Sequence, residues 1–354
     1  MSPEHKLHTV QGTSYFATKT LEWSVNVIGS IEPAVYPFSR THKKDIVLLP
    51  FADRLESAVI RCGNPVLVGL DPRVASLPDG ILEDADRNNP LKQAVAYLSF
   101  CKGVIDAVAP LVPAIKPQAA FFEQLGSPGM HALAETIDYA RDKGLLVILD
   151  GKRNDIGSTA TAYAQGFLGH DSAWCADAMT VSPYLGDDSL KPFVDVATER
   201  SAGVFVLVKT SNPGGRMLQD LVANDKPVYR HVATYVEGLA KQTAGRCGYG
   251  AVGAVAGATY PEQLCDLRDE MPHAWLLVPG FGSQGGTAGD VAGAFDEQGR
   301  GAIVNNSRGI IFAHSLAPYD QKFGHKRWQE AVESATLDMI EQLRAETTAG
   351  KLGR

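Results

Sequence analysis

The chain has 354 residues and a net charge of −7, and it has no lysine- or arginine-rich block, which argues against a broad nucleic-acid-binding surface. Hydrophobic residues make up 45% of it, yet no apolar run reaches the roughly 18 residues of a membrane-spanning helix. The five scattered cysteines form no C-x-x-C pair, and the N-terminus does not resemble a signal peptide. We therefore predict a cytoplasmic protein without membrane, nucleic-acid or structural-metal partners.

The first 50 residues differ from the rest of the chain. They mix polar and apolar residues without a clear period, so we predict an N-terminal extension over residues 1–50 that need not be ordered. A helical pattern starts directly after it, at FADRLESAVIRCG (51–63), where apolar residues recur at helix spacing.

From residue 65 onward, short apolar runs alternate with longer amphipathic stretches. Their near-continuous hydrophobicity predicts parallel strands covered on both faces. The predicted strands are 65–71, 114–118, 145–150, 178–184, 204–211, 252–259, 274–280 and 302–309. Eight such units in about 260 residues favour an α/β fold, the closed (β/α)8 TIM barrel, with a doubly wound open sheet as the alternative. We predict one barrel domain over 51–345 and a C-terminal tail over 346–354.

Polar residues follow most of the predicted strands. Each could be a helix cap or part of a solvated loop, but in a closed barrel the C-terminal ends of all strands meet at one mouth, where active sites form. The residues concerned are Asp71, Lys116, Asp150, Lys152, Ser182, 209–212, Gln284 and 306–308.

The stretch LDGKRNDIGSTA (149–160) contains four charges just after a hydrophobic run. If the strand continues to residue 152, alternation places Asp150 and Lys152 on one face and directs Arg153 away from it, as a structural or surface residue. Unit charges ~4 Å apart at an effective dielectric of ~20 attract by roughly 4 kcal/mol, which would hold the lysine as a proton-donating ammonium. Alternatively, Asp155, Ser158 or Thr159 caps the next helix and Lys152 is merely solvated.

The stretch GFGSQG (280–285) matches the dinucleotide-binding pattern G-x-G-x-x-G. That pattern normally follows the first strand of a βαβ unit, whereas here it follows the seventh predicted strand, and the next strand ends in NNSRG. The loops after strands 7 and 8 of a barrel often bind phosphate, and Arg308 supplies a suitable bidentate cation. We therefore predict a phosphate site, with glycines that only form turns as the alternative.

The pattern D-x-K-x-x-D-I-G-x-T over residues 150–159 resembles the signature of the orotidine 5′-phosphate decarboxylase family, and its longer bacterial form, G-K-R-x-D-I-G-S-T-A, fits more closely still. The stretches VGLDPR, IKPQ, KTSNPG, PGFGSQGG and NNSRGI match the family in the same order, and the resemblance covers about residues 51–320. It implies a homodimeric carboxy-lyase of pyrimidine biosynthesis that converts orotidine 5′-monophosphate (OMP) to UMP without a metal or an organic cofactor.

The resemblance also implies a role for individual residues. Lys152 would protonate C6 of the pyrimidine as carbon dioxide leaves, Asp150 would lie against the departing carboxylate, and Lys116 would hold the charge network and contact the ribose. Asp155 and Thr159 would act in the neighbouring subunit's site. The other implied substrate contacts are Asp71 for the ribose, Ser211 for the pyrimidine ring, and Gln284, Arg308 and the amides of Gly285 and Gly309 for the phosphate.

Two other functions are compatible with parts of this pattern. Sugar-phosphate lyases of the same superfamily share D-x-K-x-x-D, but they have a carboxylate at the end of the second strand and bind magnesium there; Lys116 at this position argues against such a metal. A nucleotide-binding barrel without catalysis is the other alternative. Every expected catalytic position is filled in this chain, so nothing favours it.

Overall fold

A computed structural model describes residues 49–82, 88–282 and 285–353 of the chain. The predicted extension over residues 1–50 lies outside the described residues, apart from Leu49 and Pro50, and so does Gln284. The predicted extension, and the predicted boundary between the barrel domain and the C-terminal tail at residues 345–346, stay predictions.

All eight predicted strands form, and they close into a parallel barrel. They are β1 Val66–Leu70, β2 Ala114–Pro117, β3 Leu146–Arg153, β4 Ala178–Val181, β5 Gly203–Lys209, β6 Val252–Ala256, β7 Leu276–Pro279 and β8 Ala302–Asn306. Each strand pairs with the next, and β8 pairs back with β1 at Val66 and Val304. This closure confirms the (β/α)8 prediction and rules out the open sheet.

Helices cover the outside of the barrel, which explains why the strands are apolar on both faces: every residue of β1 is buried. The described helices are α1 Phe51–Cys62, α2 Asp79–Leu82, α3 Pro90–Val108, α4 Ala119–Glu123, α5 Ser127–Asp142, α6 Gly157–Leu168, α7 Asp187–Glu199, α8 Arg216–Gln219, α9 Val228–Gln242, α10 Pro261–Glu270, α11 Arg308–Ile311, α12 Tyr319–Lys322 and α13 Trp328–Glu346. Among the described residues, no helix is long and apolar enough to span a bilayer.

Helix α1, predicted from its apolar spacing, closes the end of the barrel where the strands begin. The Phe51 ring packs edge-on against Phe205, with ring centroids 6.0 Å apart, and a Cβ on Gly203 would overlap it. Arg54 forms an ion pair with Asp177 at 2.6 Å, just before β4.

An insertion between β5 and α9 was not predicted. It contains α8 and a two-stranded antiparallel hairpin, Val222–Ala223 paired with Lys226–Pro227. The two turn residues, Asn224 and Asp225, have φ angles of 49° and 59°, the left-handed geometry of a type I′ turn. The insertion lies beside the mouth of the barrel because it follows directly from the C-terminal end of β5.

Candidate active site

A cavity of about 510 Å³ opens at the C-terminal ends of the strands. This is the face where barrel enzymes build their active sites, and the volume suits a small ligand. Six of the residues to which the family resemblance assigns a role line it: Asp71, Lys116, Asp150, Lys152, Ser211 and Arg308. Thr210, Asn212 and Ser307, which were predicted at the mouth as strand-end residues, line it as well.

The carboxylate of Asp150 lies at the centre of the polar contacts in this cavity. Its Oδ2 accepts hydrogen bonds from Lys116 Nζ at 2.8 Å and Gln118 Nε2 at 3.0 Å. Its Oδ1 accepts from Lys152 Nζ at 2.5 Å and Thr180 Oγ1 at 3.0 Å. Four donors, two of them ammonium groups, therefore fix the orientation of one carboxylate.

The two charged partners set the ionisation of this buried group. Burial alone would raise the pKa of Asp150, but the charges of Lys116 and Lys152 hold that pKa well below its usual range. For Lys116, burial alone would lower the pKa of the ammonium. The charges of Asp150 and Asp71 have the larger effect, so the pKa of Lys116 is raised. The ionised Asp150 therefore stabilises the fold above its unfolded pKa of about 3.9, and this contribution is lost as the pH falls through its folded value.

Asp150 and Lys152 meet, but not through regular strand alternation. The pairing of β3 with β4 changes register between Leu149 and Arg153, and Lys152 has a φ of 45°, in the left-handed region that non-glycine residues rarely adopt. The N–H of Lys152 donates to Thr180 Oγ1 at 2.9 Å. Strand β3 does continue past residue 152, as the face-sharing prediction required, but the two side chains meet through this irregular geometry and not through even alternation.

The wall formed by β1 and β8 carries buried acceptors, one of which, on Asn305, the sequence did not single out. Asp71 Oδ1, Asn305 Oδ1 and Ser307 Oγ have no hydrogen-bond partner among the described residues. Gly69 makes room for Ser307 and Asn305, because a Cβ there would overlap the Ser307 side chain and crowd Asn305 Oδ1. Unpaired buried acceptors are costly, so this wall is suited to a ligand that presents hydroxyl donors or to ordered water.

The loop that contains Ser211 is anchored by a buried cation. Lys209, 2% exposed at the end of β5, pairs with Asp220 of the insertion, and its ammonium lies 5.0 Å and 4.9 Å from the ring centroids of Tyr229 and Tyr260. Thr210 is tied to the insertion through both its N–H and its hydroxyl. These contacts fix the position of Ser211 at the cavity edge.

The predicted phosphate contacts lie at the other edge. Arg308 lines the cavity, and Gly309 follows it in α11. Gly285 has a φ of 90°, and its N–H donates to the Gly282 carbonyl at 2.8 Å, so that amide is engaged within its own loop. Gln284 lies outside the described residues.

Asp155 and Thr159 do not line the cavity of their own chain. The Asp155 carboxylate accepts the N–H of Ile156 at 2.8 Å, and Thr159 is exposed on the first turn of α6. Helix α6 begins after Ile156 without a side-chain cap, so the alternative in which Asp155, Ser158 or Thr159 serves as its cap does not describe this helix.

Arg153 and Thr180 both lie close to the Asp150–Lys152 pair, but only Thr180 lines the cavity. Arg153 lies outside the cavity, as the interpretation of its side-chain direction predicted. Thr180 was missed, although a single threonine in the apolar stretch AMTV is a recognisable signal of a buried polar contact.

Within the described residues, no group of three or more histidine, cysteine, aspartate or glutamate side chains is arranged to hold a metal ion.

Comparison with known proteins agrees with this geometry. Residues 66–317 match the sequence model of the orotidine 5′-phosphate decarboxylase / HUMPS family. Orotidine 5′-phosphate decarboxylases from Rhodopirellula baltica and Deinococcus radiodurans are 54% and 43% identical, over 84% and 75% of this chain and 100% and 90% of theirs. The structure of Leishmania donovani OMP decarboxylase is 33% identical, with a TM-score of 0.65, over 84% of this chain and 98% of that one. The chain therefore belongs to the orotidine 5′-phosphate decarboxylase / HUMPS family.

Proposed function

We propose that this protein decarboxylates OMP to UMP and carbon dioxide. The observation that supports this most directly is the Lys116–Asp150–Lys152 array, which places a fixed carboxylate and a proton-donating ammonium 2.5 Å apart inside the cavity. Family membership and the curated relatives named for this activity agree with it.

The array accounts for each step of the reaction. When the bond between C6 and the carboxylate carbon breaks, its electron pair stays on C6. The ammonium of Lys152 then donates a proton to C6, which gives UMP and a neutral amine that regains its proton from water. Asp150 keeps a negative charge beside the substrate carboxylate, which favours the departure of that carboxylate as neutral carbon dioxide while its electron pair passes to C6.

The same array is poorly suited to a metal-dependent lyase. Both oxygens of Asp150 already accept two hydrogen bonds each, and two of the four donors are ammonium groups that repel a dication. We expect chelator-treated protein to consume OMP at the rate of untreated protein, measured as the loss of OMP absorbance. Activity that falls on chelation and returns with magnesium would instead support the sugar-phosphate lyase.

The proposed roles of the remaining residues follow their positions in the cavity. Asp71, on the acceptor-rich wall, is proposed to bind the ribose hydroxyls and Ser211 the pyrimidine ring, while Lys116 contacts the ribose and holds Asp150. Arg308 is proposed to bind the phosphate, together with Gln284 and the Gly309 amide. The contribution of Gly285 requires its loop to release the N–H from Gly282.

Arg308 provides a test of the phosphate end. Loss of one charge-assisted bidentate contact costs about 1.5–3 kcal/mol, so Arg308→Ala is expected to lower kcat/KM for OMP by about 10–100-fold. Its turnover of orotidine, which has no phosphate, is expected to equal that of the unaltered protein. Arg327→Ala, which removes an arginine with a 53% exposed side chain, is the matched control. An equal loss on both substrates would contradict the assignment.

We further propose a homodimer in which Asp155 and Thr159 complete the partner's site. Both residues lie outside their own cavity although they follow Lys152 closely in the chain, and between them Ile156 is 55% exposed. Tyr184 and Leu185, after β4, are exposed as well, and such apolar side chains are suited to an interface.

A cytoplasmic location is part of the proposal, supported by five cysteines that form no disulfide.

A further inference from the structure

Arg153 follows Lys152 directly, and the mechanism gives it no role. Its side chain is 20% exposed and does not line the cavity but packs against α6. There the guanidinium lies 5.7 Å from the centroid of the Tyr163 ring and 5.2 Å from that of Phe167, both in α6. A cation held between two rings in this way has little freedom to move.

The guanidinium also makes two polar contacts. Its Nη1 donates to the carbonyl of Gly151 at 2.8 Å, and its Nη2 pairs with the carboxylate of Glu123 at the end of α4. The residue that caps the start of α4, Gln118, donates to Asp150. One short helix thus connects the Arg153 contact to the centre of the charge array.

These contacts surround a strained residue. A non-glycine residue in the left-handed region is strained, and it keeps that conformation only where its surroundings hold it there. Lys152, with its φ of 45°, is held on both sides: Arg153 binds the carbonyl before it, and the carbonyl of Arg153 accepts the N–H of Ser182 at 2.9 Å. The side chain of Arg153 thereby closes a ring around the Lys152 backbone.

We propose that Arg153 is a positioning residue for Lys152: it holds the Gly151–Lys152 backbone in the conformation that directs the Lys152 ammonium onto Asp150. It touches no substrate and transfers no proton. The kinetic part of this inference rests on the proposed decarboxylation, whereas the structural part does not, and the experiment has one measurement for each.

The variants are Arg153→Met, which keeps an apolar stem without the guanidinium, Arg153→Lys, and Glu123→Gln. A displacement of about 1 Å at a catalytic group can cost about 100-fold, so Arg153→Met is expected to lower kcat by that amount while KM for OMP and the affinity for UMP change less than twofold. Arg153→Lys is expected to recover only part of the loss, because an ammonium cannot bind Gly151 and Glu123 as a planar fork. The kcat of Glu123→Gln is expected to lie between that of Arg153→Lys and that of the unaltered protein.

Arg141→Met is the matched control, since Arg141 also donates to a backbone carbonyl, that of Cys175, but lies in α5 away from the array. It is expected to keep full kcat. A merely structural role for Arg153 would lower kcat, UMP affinity and Tm together, and that pattern would overturn the proposal.

The second measurement is a crystal structure of the Arg153→Met protein. We expect Lys152 to leave the left-handed region and its Nζ to move away from Asp150. If φ stays near 45° and the contact stays near 2.5 Å, the positioning role is wrong, whatever the substrate of the protein proves to be. If instead the backbone moves but the unaltered protein does not consume OMP, the proposed function fails and the positioning role stands.

Discussion

Lys152→Ala is expected to abolish turnover of OMP while leaving the fold and the binding of UMP intact. General acid catalysis by a positioned side chain contributes about 10²–10⁴-fold, and the same change removes one of the two ammonium groups that hold Asp150 in place, so we expect a loss of at least about 10⁴-fold. The Lys152 side chain is 46% exposed, so its truncation leaves no buried cavity. Loss of OMP absorbance measures turnover, and calorimetry with UMP measures binding.

Two further variants give this result its meaning. Lys152→Arg keeps a positive charge beside Asp150, but the pKa of a guanidinium lies well above that of an ammonium, so the variant cannot donate its proton readily and is expected to be inactive as well. Lys191→Ala removes an exposed lysine of α7 that pairs with Asp195 one helical turn away, and it is expected to be fully active. A Lys152→Ala protein that keeps a tenth of the activity would contradict the assignment of the proton donor.

Lys152 is a better subject for this test than its partners. Asp150 and Lys116 are 7% and 4% exposed, and they satisfy each other's charge. Removing one member of a buried ion pair leaves an uncompensated charge and costs about 3–5 kcal/mol. A loss of activity in those variants would therefore mix a folding defect with a catalytic one.

The fold could be predicted from the sequence because parallel barrel strands are buried on both faces. Runs such as VLVGL in β1 and AIVNN in β8 are therefore almost continuously apolar and stand out from the helices between them. The site could be located for a related reason. A charged side chain after an apolar strand must reach solvent or a partner, and in a closed barrel all such strand ends lie together.

The local geometry of the site could not be predicted in the same way. Alternation assumes an even strand, whereas Lys152 reaches Asp150 through a left-handed residue and a shift of register, which depend on contacts to Thr180 and Arg153. Asn305 and Ser307 look like ordinary strand-end residues until Gly69 on the neighbouring strand leaves space for them. The placement of these residues depends on contacts between strands that are distant in the sequence, and such contacts cannot be inferred from composition and spacing.

The insertion after β5 was not predicted although its turn residues carry a local signal. Its turn sequence, Asn224–Asp225, is a recognisable type I′ signal, but the flanking strands have only two residues each and no hydrophobic period.

The pairing of Lys209 with Asp220 could not be predicted for another reason. A lysine at the end of a strand is expected at the cavity, and only the structure reveals Tyr229 and Tyr260 on either side of its ammonium.

Mixing Lys152→Ala chains with Asp155→Ala chains is expected to restore activity that neither homodimer has. Because Asp155 does not line its own cavity, the proposed dimer forms each site from Lys152 of one subunit and Asp155 of the other. A mixed dimer then contains one intact site and one doubly altered site. Random exchange makes about half of the dimers mixed, so about a quarter of all sites should work.

The complementary mixture makes the same test in the opposite direction. A chain with both Lys152→Ala and Asp155→Ala, mixed in equal amount with the unaltered chain, should inactivate its partner, because the intact Lys152 then faces an altered Asp155. At equal total protein, shared sites predict about a quarter of the activity of the unaltered homodimer, whereas self-contained sites predict about half. Native mass spectrometry establishes that the chains have exchanged. If they have, and the first mixture stays inactive while the second keeps half its activity, Asp155 acts within its own chain and the shared site is wrong.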